Sequence, residues 1–221
     1  KKTNELKIMM IPIIVFVSFL IILGVFGNST VMYFYRCKTR TKPNTYFIVA
    51  LTVFDLLTCV LGMPMDLAVT ILSLDFNDET SCKILRFLTY FTSIASALIL
   101  VSLAIDRYRR ICQPLKKQLS VKQVIIACIL CVYISALLSW PALVLFVADH
   151  IKNTHLLNIT GHVCQISTSK SDILYVRTFH ILHSVCFVIL TVTLFVIYAL
   201  IVRELLNVKR RFSTFVQRQR Q

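Results

Sequence analysis

Long uncharged apolar stretches alternate along this chain with short segments rich in Lys and Arg. No residue from Ile8 to Tyr35 carries a charge, and none does from Phe87 to Ile105 or from Gln123 to Ala148. A helix crosses the ~30 Å hydrocarbon core of a bilayer with about 20 apolar residues. The pattern therefore predicts an all-α membrane protein with spans over 8–35, 45–74, 83–112, 123–148 and 174–203. A basic segment over 204–221 follows them, and the longest connection is a loop from Asp149 to Asp172. Pro64 should bend the second span near its end, because proline lacks the N–H that the helix needs.

Composition agrees. The 221 residues are 57 % hydrophobic with a mean hydropathy of +0.77, which is too apolar for a soluble domain. The net charge of +14 would suit nucleic acid if it were clustered on a domain surface. The basic residues instead fill the gaps between apolar runs, so the partner they imply is the lipid bilayer and not nucleic acid. Sixteen of the 24 Lys and Arg residues fall on one predicted side, among them Arg36, Lys42, Arg109, Lys116, Lys122, Arg203 and Arg210. The positive-inside rule makes that side cytoplasmic, with the N-terminus outside and the C-terminus inside. The first apolar run exceeds a signal-peptide core and lacks a cleavage site. Lys1 in place of Met implies residues upstream.

Polar residues inside the spans are the candidates for chemistry. Asp55 lies mid-span in Leu51-Thr52-Val53-Phe54-Asp55, where a carboxylate is costly and usually serves an ion or proton. Asn28 needs a partner in hydrocarbon and should face the bundle. Ser96 lies 11 positions before Arg107, about three turns away on the same side. These three form one candidate polar cluster, and a packed, merely hydrogen-bonded Asp55 remains the alternative. Of the eight cysteines only Cys82 and Cys164 fall on the predicted outer side. Cys128 and Cys131 have metal spacing but lie mid-span, and read as small buried hydrophobes. His180 and His183 make a weak metal pair, and no metal site is expected. Asn158-Ile159-Thr160 is a glycosylation acceptor that suits an outer loop, whereas Asn28-Ser29-Thr30 is too deep to serve.

Asp106-Arg107-Tyr108 closes the third span, and Pro114-Leu115 follow shortly after. This stretch resembles the Asp-Arg-Tyr signature of rhodopsin-like G-protein-coupled receptors. Gly27-Asn28, Leu51 with Asp55, Pro64, and Cys82 at about 37 Å of helical rise before Arg107 are similar to the family's other markers. So are Phe187 and Tyr198. Two departures stand out: Val132 replaces the usual fourth-span tryptophan, with Trp140 beside Pro141, and Leu190 replaces the fifth-span proline.

The resemblance implies a rhodopsin-like seven-helix bundle cut after its fifth helix. It implies a Cys82–Cys164 disulfide, a sodium ion at Asp55 with Ser96 and Asn28, and a switch in which Asp106 holds Arg107 at rest. Coupling to a heterotrimeric G protein would use Asp106, Arg107, Tyr108, Ile111, Pro114, Leu115 and Tyr198. Leu115 would be the apolar knob, with Arg109 and Arg110 on its rim. Amine receptors carry an Asp where this chain has Thr89. Asp66, Arg86, Thr89, Tyr90, Arg177 and His183 would form a mixed-charge pocket for an extracellular peptide. The alternative for Arg86 is a side chain that merely snorkels to the interface.

The reading is then a plasma-membrane receptor for a neuropeptide that requires no cofactor beyond the ion. A truncated receptor pairing with full-length relatives is a second reading. A transporter is disfavoured by the lack of repeats and broken helices, and an enzyme by the lack of a nucleophile–base set.

Overall fold

The computed structural model describes residues 2–37, 42–71, 78–151, 161–166 and 173–219. Helix α1 runs over Lys2–Cys37, α2 over Pro43–Leu57 and α3 over Met63–Ile71, with a π-helical turn Thr58–Gly62 joining α2 to α3. Then come α4 (Glu79–Cys112), α5 (Val121–Ser139) and the short α6 (Ala142–Leu145). The strands β1 (Phe146–Ile151) and β2 (Gly161–Ile166) follow, and α7 occupies Ile173–Gln219. Among the described residues five helical stretches are long and apolar enough to cross a membrane: Met10–Cys37, Pro43–Ala68, Glu79–Cys112, Val121–Leu145 and Ile173–Ser213.

Local chemistry sets the ends. Pro43 opens α2 at a position where the missing N–H costs nothing. Asp78 caps α4 by accepting from the backbone N–H groups of Thr80 at 3.2 Å and Ser81 at 3.3 Å. Ser120 and Gln123 form a reciprocal capping box at the start of α5. The π turn sits immediately before Pro64. Its wider ring relieves the ladder that a proline would break, so the bend expected there takes the form of a bulge.

Helix α4 is the centre of the bundle and packs against α2, α5 and α7, while α1 packs on α2, the π turn and α3. One face of α4 is buried at Thr92, Ala95, Ile99, Leu103 and Asp106. Those positions recur at three- and four-residue steps, so they form a single stripe along the helix. Around the middle of it Phe47, Ile48, Ile99, Leu103, Val124 and Cys131 form one core cluster. Met65, Cys82, Ala142, Leu145, Phe146, Cys164 and Phe179 form another at one end. Cys82 and Cys164 are disulfide-bonded within that second cluster, with Cα atoms 5.6 Å apart.

Glycine allows one close approach. A Cβ on Gly24 of α1 would lie 2.4 Å from the Sγ of Cys59 in the π turn, whereas a Cβ on Gly27 would meet nothing within 4 Å. The contact of α1 with α2–α3 therefore depends on Gly24, not on the Gly27 beside Asn28.

The element limits depart from the sequence expectation in four places. Helix α5 stops at Ser139, ahead of Pro141, and the chain turns through α6 into β1 inside the expected 123–148 span. The 149–172 segment is not wholly loop, since β1 and β2 pair antiparallel from Phe146↔Ile166 to Ile151↔Gly161. The expected basic segment 204–221 is helical as far as Gln219. Helix α4 begins a turn before residue 83, at the Asp78 cap. The glycosylation acceptor at Asn158 and the end of the expected second span at Leu74 lie outside the described residues.

Candidate functional site

Three polar zones lie along α4. The first is at the disulfide end. Arg86 reaches across to α3, where its Nη1 donates to Asp66 Oδ1 at 2.6 Å. Its guanidinium also stands 5.4 Å from the centroid of the Phe146 ring, a cation–π contact. One turn on, Tyr90 meets the rings of Phe179 and His183 edge-on, both at 5.1 Å between centroids. His183 Nδ1 lies 2.9 Å from the carbonyl oxygen of Phe179. A carbonyl only accepts, so this nitrogen is the donor.

These groups edge a cavity of about 470 Å³. Asp66, Arg86, Thr89, Tyr90, Ser93 and His183 supply its polar wall, and Leu98, Leu138, Leu182, Phe187 and Leu190 its apolar floor. Arg86 Nε and His183 Nε2 are buried without a hydrogen-bond partner among the described residues. An apolar hollow with a few convergent polar groups is the usual form of a small-ligand or peptide-end site. Arg177, expected in this pocket, is exposed on α7 and does not line it. Its position six residues before His183 turns it about 120° away around the helix.

The second zone is mid-helix. The Ser96 hydroxyl donates to Asp55 Oδ1, joining α4 to α2 in the apolar interior. Asn28, expected to join them, is half-buried on α1 and makes no hydrogen bond to either among the described residues. The expected three-member cluster is therefore a two-member bond, because α1 packs chiefly against α2, the π turn and α3. Nearby, Ser102 Oγ lies 3.5 Å from Cys131 Sγ. Among the described residues no group of three or more His, Cys, Asp or Glu side chains could hold a metal ion.

The third zone is at the opposite end of α4. Asp106 is wholly buried, and its partner is not Arg107. Arg110 Nε donates to Asp106 Oδ2 at 2.7 Å and Arg110 Nη2 to Oδ1 at 3.1 Å. This corrects the expected Asp106–Arg107 lock. Adjacent residues on a helix point about 100° apart, whereas residues four apart are neighbours on one face. Arg107 is exposed, and among the described residues no acid pairs with it. Tyr108 is half-buried.

The chain after α4 is tied into a tight turn. Lys116 N–H donates to Gln113 O at 3.1 Å. The Gln118 side chain donates to Lys116 O at 3.0 Å, and Arg109 Nη2 to Lys117 O at 2.9 Å. Pro114 is exposed there, and Leu115 projects with its side chain fully in the open. Ile111 and Tyr198 are also exposed, the latter in an α7 groove with Phe195, Val202 and Arg203. Arg109 and Arg110, expected on the rim of Leu115, are instead engaged with Lys117 and Asp106. Around Leu190, which stands in place of the family's fifth-span proline, α7 is uninterrupted helix.

The i,i+4 spacing of Asp106 and Arg110 signals their pairing in the sequence, as the same spacing signals Phe179 and His183. Phe146 carried no such signal as the ring beside Arg86, because the hairpin and the disulfide bring it there.

The sequence profile of the family described as "7 transmembrane receptor (rhodopsin family)" matches residues 27–221. Among curated proteins, the chain is 32 % identical over 115 residues to the neuromedin U receptor homolog nmur-2 of Caenorhabditis elegans, covering 49 % of this chain and 28 % of that protein. It is 28 % identical over 127 residues to the neuropeptide S receptor of Macaca mulatta, covering 58 % and 34 %. It is 29 % identical over 201 residues to the neuropeptide Y receptor type 4 of Rattus norvegicus, covering 87 % and 53 %. The chain thus spans between about a quarter and a half of the length of these relatives.

Proposed function

This chain belongs to the rhodopsin family of seven-transmembrane receptors, and on that premise we propose that it is the ligand-binding and transducing part of a neuropeptide receptor acting on a heterotrimeric G protein. One observation carries the reading. A single central helix bears a mixed-charge cavity at its disulfide-bonded end and an exposed Arg107 beside the bare Leu115 turn at its other end. Similarity to receptors named for neuropeptides supports the ligand class. A peptide end offers amides, charges and an apolar residue together, which suits polar walls over an apolar floor.

The receptor sits in the plasma membrane with the disulfide end outside. Two features support that orientation: the basic residues crowd the Arg107 end, and disulfides persist in oxidising surroundings. Leu115 and Ile111 supply the apolar contact to the G protein and Arg107 the charged one. Asp55 and Ser96 offer a carboxylate and a hydroxyl oxygen, hard donors suited to a sodium ion, which would complete its shell with other oxygens.

The test is Arg86→Ala in the complete receptor. The substitution removes both the Asp66 ion pair and the Phe146 contact, and peptide potency should fall at least about tenfold, near 1.4 kcal/mol. Unchanged potency at unchanged surface expression would sink the pocket assignment. A surface-expressed receptor that drives no nucleotide exchange with any peptide of a broad pool would sink the receptor reading itself.

A further inference from the structure

We propose that His150 and His162, which stand opposite each other in register across the β1–β2 hairpin, form a two-histidine site for zinc. The two lie far apart in the chain, and only the strand pairing joins them. Directly opposed residues of an antiparallel pair have Cβ atoms about 4.5–5.5 Å apart. Two nitrogens on a tetrahedral zinc, each about 2.0–2.1 Å from the ion, stand roughly 3.3 Å from one another. An imidazole is long enough to close that difference from neighbouring Cβ positions, so one ion suits the pair with no change of register.

The fold holds that register without the ion. By the two-residue period of a strand, His150 belongs to the same face of the hairpin as Phe146, and His162 to the same face as Cys164. Phe146 and Cys164 are buried, and Cys164 is bonded to Cys82 of α4. A one-residue slip would turn Phe146 out of the core, so the opposed pair is kept before any metal arrives. The donors also select the ion. Neutral imidazole suits zinc, and the two cysteines beside the pair are already joined in a disulfide, so neither offers a thiolate. Water would complete the four positions around the ion. Both strands lie between the spans Val121–Leu145 and Ile173–Ser213, outside the segments that cross the bilayer. An ion held by one residue from each strand clamps β1 to β2. Strand β1 carries Phe146, whose ring centroid stands 5.4 Å from the Arg86 guanidinium, so zinc stiffens the strand that borders the cavity.

Two experiments on the complete receptor in detergent test this. In the first, chelator-stripped protein is titrated with ZnCl2 against a chromophoric zinc indicator. His150→Ala and His162→Ala should each lose one zinc equivalent, and the double variant no more than either alone. His162→Asp keeps an oxygen ligand and should retain that equivalent at lower affinity. No loss in either alanine variant overturns the proposal. So does a loss that follows His155→Ala, in the segment between the strands that lies outside the described residues, but not His162→Ala.

The second needs no variant. Amide hydrogen exchange is followed in wild-type protein with ZnCl2 at about ten times its dissociation constant. Amides of Phe146–Ile151 that exchange through opening of the hairpin should slow about tenfold, and those of α5 should not change. Unaltered exchange in the hairpin overturns the proposal, whatever the titration gives. Neither measurement uses a peptide or a G protein, so the outcome is separate from that of the receptor reading.

Discussion

At Asp78 a single exposed carboxylate starts the central helix. Hydrogen bonding from the Ser81 hydroxyl, and then from the Ser81 and Thr80 amides, holds its pKa below the ordinary 3.8. A depressed folded-state pKa contributes stability that is complete above the unfolded value and lost as pH falls through the folded one. The first turn of α4 should therefore loosen only below about pH 3.8. Hydrogen exchange at the Thr80 and Ser81 amides, corrected for intrinsic rate, would show protection falling there, and Asp78→Ala would remove the pH dependence. At this scale the sequence was readable wherever a rule is local. Asp106 and Arg110 stand one turn apart in plain view, yet the resemblance drew attention to the adjacent Arg107, which helical geometry turns away. Asn28 failed for the opposite reason, because its partner depends on which helices touch.

The elements were the most legible part, since a bilayer admits few alternatives to apolar helices. Their limits were less so. The β1–β2 hairpin was hidden because Phe146 to Ala148 read as the tail of an apolar run. Pro141 was the available sign that the helix ends sooner. The approach of α1 to the π turn was hidden as well: Gly24 looks like any other small residue in a span until Cys59 is placed against it. Gly24→Ala should cost about 1–3 kcal/mol of stability through overpacking, less what alanine gains as a helix former. Adding Cys59→Ala should recover part of the loss, because the clashing Sγ is then gone. Thermal unfolding of the two variants in detergent would measure both effects, and no recovery in the double variant would mean that the helices meet elsewhere.

For the whole molecule, the disulfide joins the first turn of α4 to the hairpin across 82 residues. Chain entropy alone gives such a closure roughly 4 kcal/mol. The helices between remain confined by the bilayer when unfolded, so the Cys82→Ser, Cys164→Ser variant should lose less, about 2–3 kcal/mol. On the reading proposed above, peptide binding should weaken as well, since the bond anchors the hairpin that brings Phe146 over Arg86. Loss of stability with binding intact would show that the α6–β1 corner holds Phe146 by itself. The pocket was legible in the sequence as far as Asp66, Arg86, Thr89, Tyr90 and His183, to which the family resemblance pointed. The ring of Phe146 over Arg86 was not, because a covalent bond between distant residues anchors the hairpin that carries it.

Helix α7 continues for 47 residues without interruption. At 1.5 Å per residue that is about 70 Å, more than twice the thickness of the hydrocarbon core. The excess stands clear of the lipid as a stiff boom bearing Lys209, Arg210 and Arg211. From His183 to Gln219 the arm is about 54 Å, so a rocking of about 10° at the pocket would swing the far tip by roughly 9 Å, and a small displacement around His183 is magnified mechanically before it reaches anything docked below.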